Sequence, residues 1–121
     1  MAFFDNEARL YLLQRLSAVV MAPLVVIHLV TILYAVRGGL TAAEILERTQ
    51  NTSLWGISFW GLFYVIFVIA VSVHAPLGLR KIMREWTSFS MSIINRITVL
   101  IAALLLVIGL RSVMAVTGVM L

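Results

Sequence analysis

The two histidines of this chain, His28 and His74, are the residues best suited to chemistry. Each lies inside a long apolar run that is typical of a membrane-spanning helix. An imidazole in hydrocarbon is costly unless it has a partner, so an ionisable residue at such a place indicates a functional site. Neutral imidazole binds haem iron well, and both histidines are therefore predicted to be axial ligands of haem iron. The competing interpretation is a hydrogen bond to a neighbouring helix.

The composition is that of an integral membrane protein. Of the 121 residues, 63% are hydrophobic and 12% are charged, whereas soluble domains carry about 25% charged residues. The absence of cysteine excludes a disulfide framework, a thiolate haem ligand, an iron–sulfur cluster held by this chain and a covalently attached c-type haem. The net charge of +4 comes from basic residues that flank apolar runs, a membrane pattern and not a nucleic-acid signal.

Three apolar runs, at residues 16–36, 54–79 and 97–119, are long enough to cross a hydrocarbon core of about 30 Å. Between the first two, Thr41 and Glu44 have the spacing of a capping box, which predicts a short surface helix. We find no internal repeat, so residues 1–121 are expected to form one all-α membrane domain.

The basic residues indicate how the helices are oriented. One side of the predicted bundle, formed by the N-terminal segment and the second loop, carries six of them: Arg9, Arg15, Arg80, Lys81, Arg84 and Arg96. The positive-inside rule places this side in the cytoplasm. The expected location is the inner (cytoplasmic) membrane, with the chain crossing it several times.

The two histidines are predicted to lie at different depths. Counted from residue 16, His28 is about 18 Å into the membrane, and counted from residue 79, His74 is about 8 Å from the cytoplasmic face. One haem bridged by both imidazoles of one chain is awkward across a gap of about 10 Å. Two haems at two levels, each completed by a histidine from elsewhere, fit better.

Neighbouring residues support these sites. A stripe of the first helix with helical spacing contains His28 and other small, polar or flexible residues, and it is expected to face other helices: Ser17, Met21, Leu24, His28 and Thr31. Gly78, one turn from His74, leaves room for a macrocycle or a close helix. The cations Arg80, Lys81 and Arg84 are predicted to pair with haem propionates.

Two segments resemble a known family. His74 to Trp86, with its glycine, basic residues, acidic residue and final aromatic, resembles the end of helix two in the membrane-anchor subunits of succinate dehydrogenase and fumarate reductase. Gln14 to Val19 resembles the Arg-x-Ser-Gly/Ala-Val motif that opens helix one of those anchors. The three-span layout with a cytoplasmic N-terminus is also that of the family.

The resemblance implies a cytochrome b-type anchor that passes electrons between an iron–sulfur subunit and membrane quinone. It implies one or two b haems shared with a second membrane-anchor subunit, with His74 on the haem nearer the soluble subunits and His28 on the farther one. It also implies quinone contacts from Arg15, Ser17 and Trp86. Succinate chemistry would belong to a partner flavoprotein subunit, and the remaining partner is membrane lipid.

The sequence departs from the family pattern at Glu85 and Trp86, and several of the predicted site residues have other interpretations. Trp86 stands where the family often has tyrosine, and Glu85 replaces the more usual aspartate. Arg15 and Trp86 are also ordinary membrane-interface residues, and a serine such as Ser17 often bonds back to its own helix. Other functions compatible with the sequence are a haem-b subunit of another quinone-linked oxidoreductase and a haem-free anchor or assembly subunit.

Overall fold

The computed structural model describes residues 2–51, 53, 54 and 57–117. A short 3-10 turn, Ala2–Asp5, precedes four helices: α1 (Glu7–Arg37), α2 (Ala42–Asn51), α3 (Phe59–Trp86) and α4 (Met91–Thr117). Between α2 and α3 lie two strands of two residues each, β1 (Ser53–Leu54) and β2 (Ile57–Ser58). They pair antiparallel, Ser53 opposite Ser58 and Leu54 opposite Ile57.

The three long helices α1, α3 and α4 are each long and apolar enough to cross a membrane. The shortest, α4, has 27 residues, which corresponds to about 40 Å, against a hydrocarbon core of about 30 Å. The all-α, three-span prediction is confirmed, with the small β1–β2 ladder as an addition that the sequence did not suggest.

The helix bounds differ from the apolar runs because charged ends extend a helix beyond the hydrocarbon. α1 begins nine residues before residue 16, and α3 continues seven residues past residue 79. α3 begins at Phe59 and not at residue 54, because the backbone before it forms the β1–β2 ladder. The predicted end of the last span, residue 119, lies outside the described residues.

The helix ends are capped by local hydrogen bonds. The Asn6 side chain accepts a bond from the Arg9 backbone N–H at 3.1 Å and begins α1. The Thr41 hydroxyl oxygen accepts from the Glu44 N–H at 3.2 Å, and α2 follows directly, so the predicted surface helix is confirmed. After α1, Gly39 has a φ of +65°, a left-handed conformation that favours glycine.

α3 is the central helix of the bundle, because it packs against both α1 and α4, while α2 lies against α3 and α4. α4 comes close to α3 at Gly109, where an added Cβ would lie 2.5 Å from Val68 Cγ1. We call the end with Glu7, Trp86 and Met91 the amino end of the bundle, and the end with α2 the α2 end.

The predicted stripe on α1 does face its neighbour. The residues at positions 17, 21, 24, 28 and 31 are buried or half-buried, whereas most of the α1 side chains between them are exposed. The outward faces of α1 and α4 are rich in exposed valine, leucine and isoleucine, as expected for surfaces that meet lipid or other apolar helices.

Candidate functional site

His74 of α3 lies against the first part of α1. Its Nδ1 atom is 3.3 Å from the backbone carbonyl oxygen of Gln14 and 3.2 Å from Oγ of Ser17. The Ser17 hydroxyl in turn donates to the same Gln14 carbonyl at 3.0 Å. Ser17 is only 5% exposed. The imidazole is therefore tied to α1 through one ring nitrogen.

His28 of α1 has a corresponding arrangement with α3. Its Nδ1 atom is 3.3 Å from the Tyr64 hydroxyl oxygen. The imidazole also meets the Tyr64 and Phe67 rings edge to face, with centroids 5.6 and 5.5 Å away. Thr31 keeps its hydroxyl on the His28 carbonyl, at 2.7 Å, and thereby on its own helix.

These contacts separate the two imidazoles along the bundle. Ser17 marks the level of His74 on α1, and His28 is eleven residues further on. Tyr64 marks the level of His28 on α3, ten residues before His74. The two counts correspond to about 17 and about 15 Å, respectively. The prediction of two levels agrees with these contacts, although the separation is larger than the 10 Å estimated from the ends of the apolar runs.

A cavity of about 1030 Å³ lies beside His28 at the α2 end. All four helices contribute to its largely apolar wall, which includes His28, Tyr64, Trp60, Val68, Gly109 and Arg48. A mostly apolar cavity with a few polar groups is the usual form of a small-molecule or cofactor site, and this volume is at the upper end of the usual range.

Arg48 of α2 supplies a positive charge to this cavity. Its guanidinium lies 5.7 Å from the centroid of the Tyr34 ring. Hydrogen bonding to Tyr34 raises the pKa of Arg48 above its usual value, and a guanidinium is charged at neutral pH in any case. The cavity therefore combines an apolar wall, one imidazole–phenol pair and one cation.

At the amino end, Arg80 is almost fully buried, with a side chain 5% exposed. Its Nη1 and Nη2 atoms donate to the Glu7 carboxylate at 3.3 and 3.1 Å, and Nε donates to Asn95 at 2.9 Å. The Phe4 ring covers the guanidinium at 5.3 Å. Arg84 reaches the same carboxylate at 3.0 Å. This cluster joins α1, α3 and α4.

The three cations predicted to meet haem propionates thus have different surroundings. Arg80 and Arg84 both form ion pairs with Glu7. Lys81, the third of these cations, is exposed and forms no ion pair with the described residues. Their propionate role stays a prediction. Since every guanidinium nitrogen of Arg80 already has an acceptor within the chain, Lys81 and the more exposed Arg84 are better placed for it.

The three predicted quinone residues do not form one site within this chain. Ser17 contacts His74. His74 is twelve residues before Trp86 in α3, so Ser17 and Trp86 lie about 18 Å apart along the bundle. Trp86 is 82% exposed, and Arg15 is exposed and lies over the Tyr11 ring at 5.8 Å. Ser17 is buried inside the bundle, whereas Arg15 and Trp86 face outward.

Several residues that shape these sites were not singled out from the sequence, namely Tyr64, Glu7, Asn95 and Arg48. Tyr64 carried a usable signal: a hydroxyl within an apolar span needs a partner, and few polar groups are available there. Glu7 and Asn95 are 73 and 15 residues from Arg80, and their pairing depends on helix register that the sequence does not reveal.

The two histidines meet the requirements for axial haem ligands. Each engages Nδ1 with an oxygen on the facing helix, and within the described residues neither Nε2 atom takes part in a hydrogen bond. A ligating histidine is normally held in this way through its second nitrogen. No three His, Asp or Glu side chains cluster in the described ranges. Each histidine thus has one ring nitrogen, Nε2, with which it would hold haem iron.

Comparison with protein families gives a match over most of the chain. The model of the succinate dehydrogenase/fumarate reductase transmembrane subunit matches residues 3–110, which include both histidines and all three long helices in large part. Neither the curated proteins nor the solved structures gave a match. Since the matched region covers nearly the whole chain and the three-span fold agrees with it, this chain belongs to the succinate dehydrogenase/fumarate reductase transmembrane subunit family.

Proposed function

We propose that this chain is a haem b-binding membrane anchor that transfers electrons between the iron–sulfur subunit of its complex and membrane quinone. The observation that carries the proposal is the contact between His74 Nδ1 and the Gln14 carbonyl oxygen, 3.3 Å. A carbonyl accepts hydrogen bonds and never donates one, so a hydrogen bond at this contact places the ring proton on Nδ1. The Nε2 lone pair is then available for iron.

The chemistry supplied from outside the chain is one-electron transfer at haem iron and two-electron, two-proton chemistry at quinone. The chain supplies ligands, orientation and a dry setting. His74 is the ligand nearer the amino end, and His28 is the ligand about 15 Å further toward the α2 end. That spacing favours two haems over one haem bridged by both residues. Each second axial ligand would come from the second anchor subunit.

Different groups would hold the haem at each of the two histidines. At the α2 end, the cavity of about 1030 Å³ beside His28 supplies space for a macrocycle, and Arg48 supplies a charge for its propionates. At the amino end, Lys81 and Arg84 are the propionate partners and Arg80 holds the helices together. Trp86 faces outward at this end and Arg15 faces outward nearer the level of His74, and each would contact quinone together with partner subunits.

The chain functions as one subunit of a larger complex. The flavoprotein subunit, the iron–sulfur subunit and a second anchor subunit are the partners, and the chain by itself has no activity toward succinate. The amino end, with most of the basic residues, faces the cytoplasm, and the membrane is the inner (cytoplasmic) one. The soluble subunits dock at this end.

Reduced-minus-oxidised spectra of the purified complex test the proposal. We expect b-type bands and a pyridine haemochrome that counts two haems. The His74→Ala variant should lose one haem and the His28→Ala variant the other, because each removes an axial ligand. If both variants keep the wild-type haem content, the ligand assignment is wrong.

A haem-free anchor is the alternative that the same spectra address, since it would give no b-type bands at all. A haem-b subunit of another quinone-linked oxidoreductase is disfavoured by the family match over residues 3–110. Purification through a tag on this chain separates those two: we expect a flavoprotein and an iron–sulfur protein to copurify, together with succinate-dependent reduction of quinone.

A further inference from the structure

The Ser17 hydroxyl lies within hydrogen-bond distance of both the His74 imidazole and the Gln14 carbonyl that the imidazole contacts. It is 3.0 Å from the Gln14 carbonyl oxygen and 3.2 Å from His74 Nδ1, and Nδ1 itself is 3.3 Å from that carbonyl. The three polar atoms form a closed triangle at the junction of α1 and α3. Ser17 is 5% exposed, so the triangle is shielded from groups outside the bundle.

Only one arrangement of protons satisfies the triangle. The Gln14 carbonyl can only accept, and the single Ser17 proton is directed to it. The Ser17 oxygen therefore offers His74 a lone pair, and Nδ1 must donate. The opposite arrangement, in which Ser17 donates to a bare Nδ1, would bring two lone pairs together at the 3.3 Å contact with Gln14. It would also place the single N–H proton of the neutral imidazole on Nε2 and prevent iron binding.

We propose that Ser17 is a positioning residue for His74, which it fixes in the Nδ1–H tautomer and in ring orientation, and that it does not contact quinone. This inference rests on the proposed haem ligation by His74. Hydrogen bonding from Nδ1–H to Ser17 and Gln14 makes the imidazole a more basic ligand, which stabilises oxidised iron more than reduced iron. Loss of the Ser17 acceptor therefore raises the midpoint potential of the haem bound by His74.

The test uses the complete complex with Ser17→Ala. Alanine is the best helix former, so α1 is expected to persist. We expect full haem content by pyridine haemochrome, a positive shift in the midpoint potential of the haem that His74→Ala removes, and altered low-spin g values of that haem. Ser17→Cys keeps the side-chain size with a weaker acceptor and should shift the potential in the same direction by less.

Ser72→Ala is the matched control. Ser72 is a buried serine of α3 two residues before His74, and its hydroxyl has no hydrogen-bond partner in the described part of the chain. Its removal should leave the potential and the g values unchanged. The inference is wrong if the Ser17 variants keep wild-type potentials and g values, or if they raise the quinone KM alone. Absence of b-type haem from the wild-type complex would instead refute the proposed function.

Discussion

Toward the amino end of the bundle, His74 meets a backbone carbonyl and a buried hydroxyl, and the ion pair of the buried Arg80 with Glu7 lies further along the same helix. At the α2 end, His28 meets a phenol beside a cavity of about 1030 Å³. Both imidazoles are joined to the facing helix through Nδ1. They differ in the Nδ1 protonation state that each partner accommodates. The Gln14 carbonyl only accepts hydrogen bonds, whereas the Tyr64 hydroxyl both donates and accepts them.

This difference separates a preorganised site from an adaptable one. With the proton arrangement proposed above, the fold sets the tautomer of His74 before any ligand binds. The tautomer of His28 is set only when a ligand engages Nε2, because Tyr64 accommodates either form. The comparison also extends to packing: the amino end is closed by charge pairs between helices, and the α2 end keeps a large apolar space.

Glu7→Ala is the change with the largest expected effect, because it tests whether the amino end is closed by its charge cluster. The variant leaves Nη1 and Nη2 of the buried Arg80 without acceptors. We expect a loss of about 3 kcal/mol, the lower part of the range for breaking a buried ion pair, because the Glu7 side chain is 55% exposed. Thermal unfolding in detergent and faster hydrogen exchange in residues 7–15 would measure it.

The control for Glu7→Ala is Glu85→Ala, an exposed carboxylate at the same end of the bundle. It should change stability by less than about 0.5 kcal/mol. Glu7 also lies in the first turn of α1, where its charge alone is worth up to about 1 kcal/mol. A loss no larger than that would mean that the Arg80 cluster does not hold the amino end together.

Gly109→Ala tests the packing of the α2 end. The new methyl group would lie 2.5 and 2.9 Å from the two Cγ atoms of Val68, and a β-branched side chain has little freedom to turn away. We expect a loss of about 2 kcal/mol, typical of overpacking, in the same unfolding assay. The double variant with Val68→Ala should recover most of it.

Gly78→Ala is the matched glycine at the amino end. Its added methyl group would meet only the Gln14 amide nitrogen at 3.4 Å, an ordinary contact. Alanine favours a helix over glycine by about 1 kcal/mol, so this variant should be neutral or slightly stabilising. Equal losses from both glycine variants would contradict the assignment of the tight α3–α4 contact to Gly109.

Much of the fold could be predicted from local sequence. Hydropathy identified the three spans, the Thr41 and Glu44 spacing identified α2, and the three-and-four spacing identified the buried stripe of α1. Each of these signals is carried by residues close together in the chain. The ends of the helices were predicted less well, because apolar runs measure the hydrocarbon and not the helix.

Contacts between helices could not be predicted in the same way. The Gln14 carbonyl that meets His74 belongs to the backbone, which has no sequence signature, and Glu7 pairs with Arg80 only because of antiparallel register. The depth estimate had the same weakness. It treated Leu16 and Leu79 as lying in one plane, whereas Ser17, next to Leu16, lies level with His74. The contacts therefore give about 15 Å instead of about 10 Å.

Tyr64→Phe has the smallest expected effect on stability and tests the comparison most directly. With haem bound at His28, Nδ1 must carry the ring proton and donate to the Tyr64 oxygen. The variant removes this acceptor, whereas Ser17→Ala leaves His74 the Gln14 carbonyl. We therefore expect a larger positive shift in midpoint potential for Tyr64→Phe than for Ser17→Ala. We also expect about fivefold faster haem loss from the His28 site, equivalent to about 1 kcal/mol.

Ser112→Ala is the control for this last variant, since it removes a hydroxyl that lines the same cavity and donates to the Ile108 carbonyl of its own helix. It should leave the potential of the haem at His28 unchanged. If Tyr64→Phe shifts the potential less than Ser17→Ala does, His28 depends on its partner less than His74 does. In that case the adaptable end is not the α2 end, and the contrast between a fixed and a ligand-set tautomer fails.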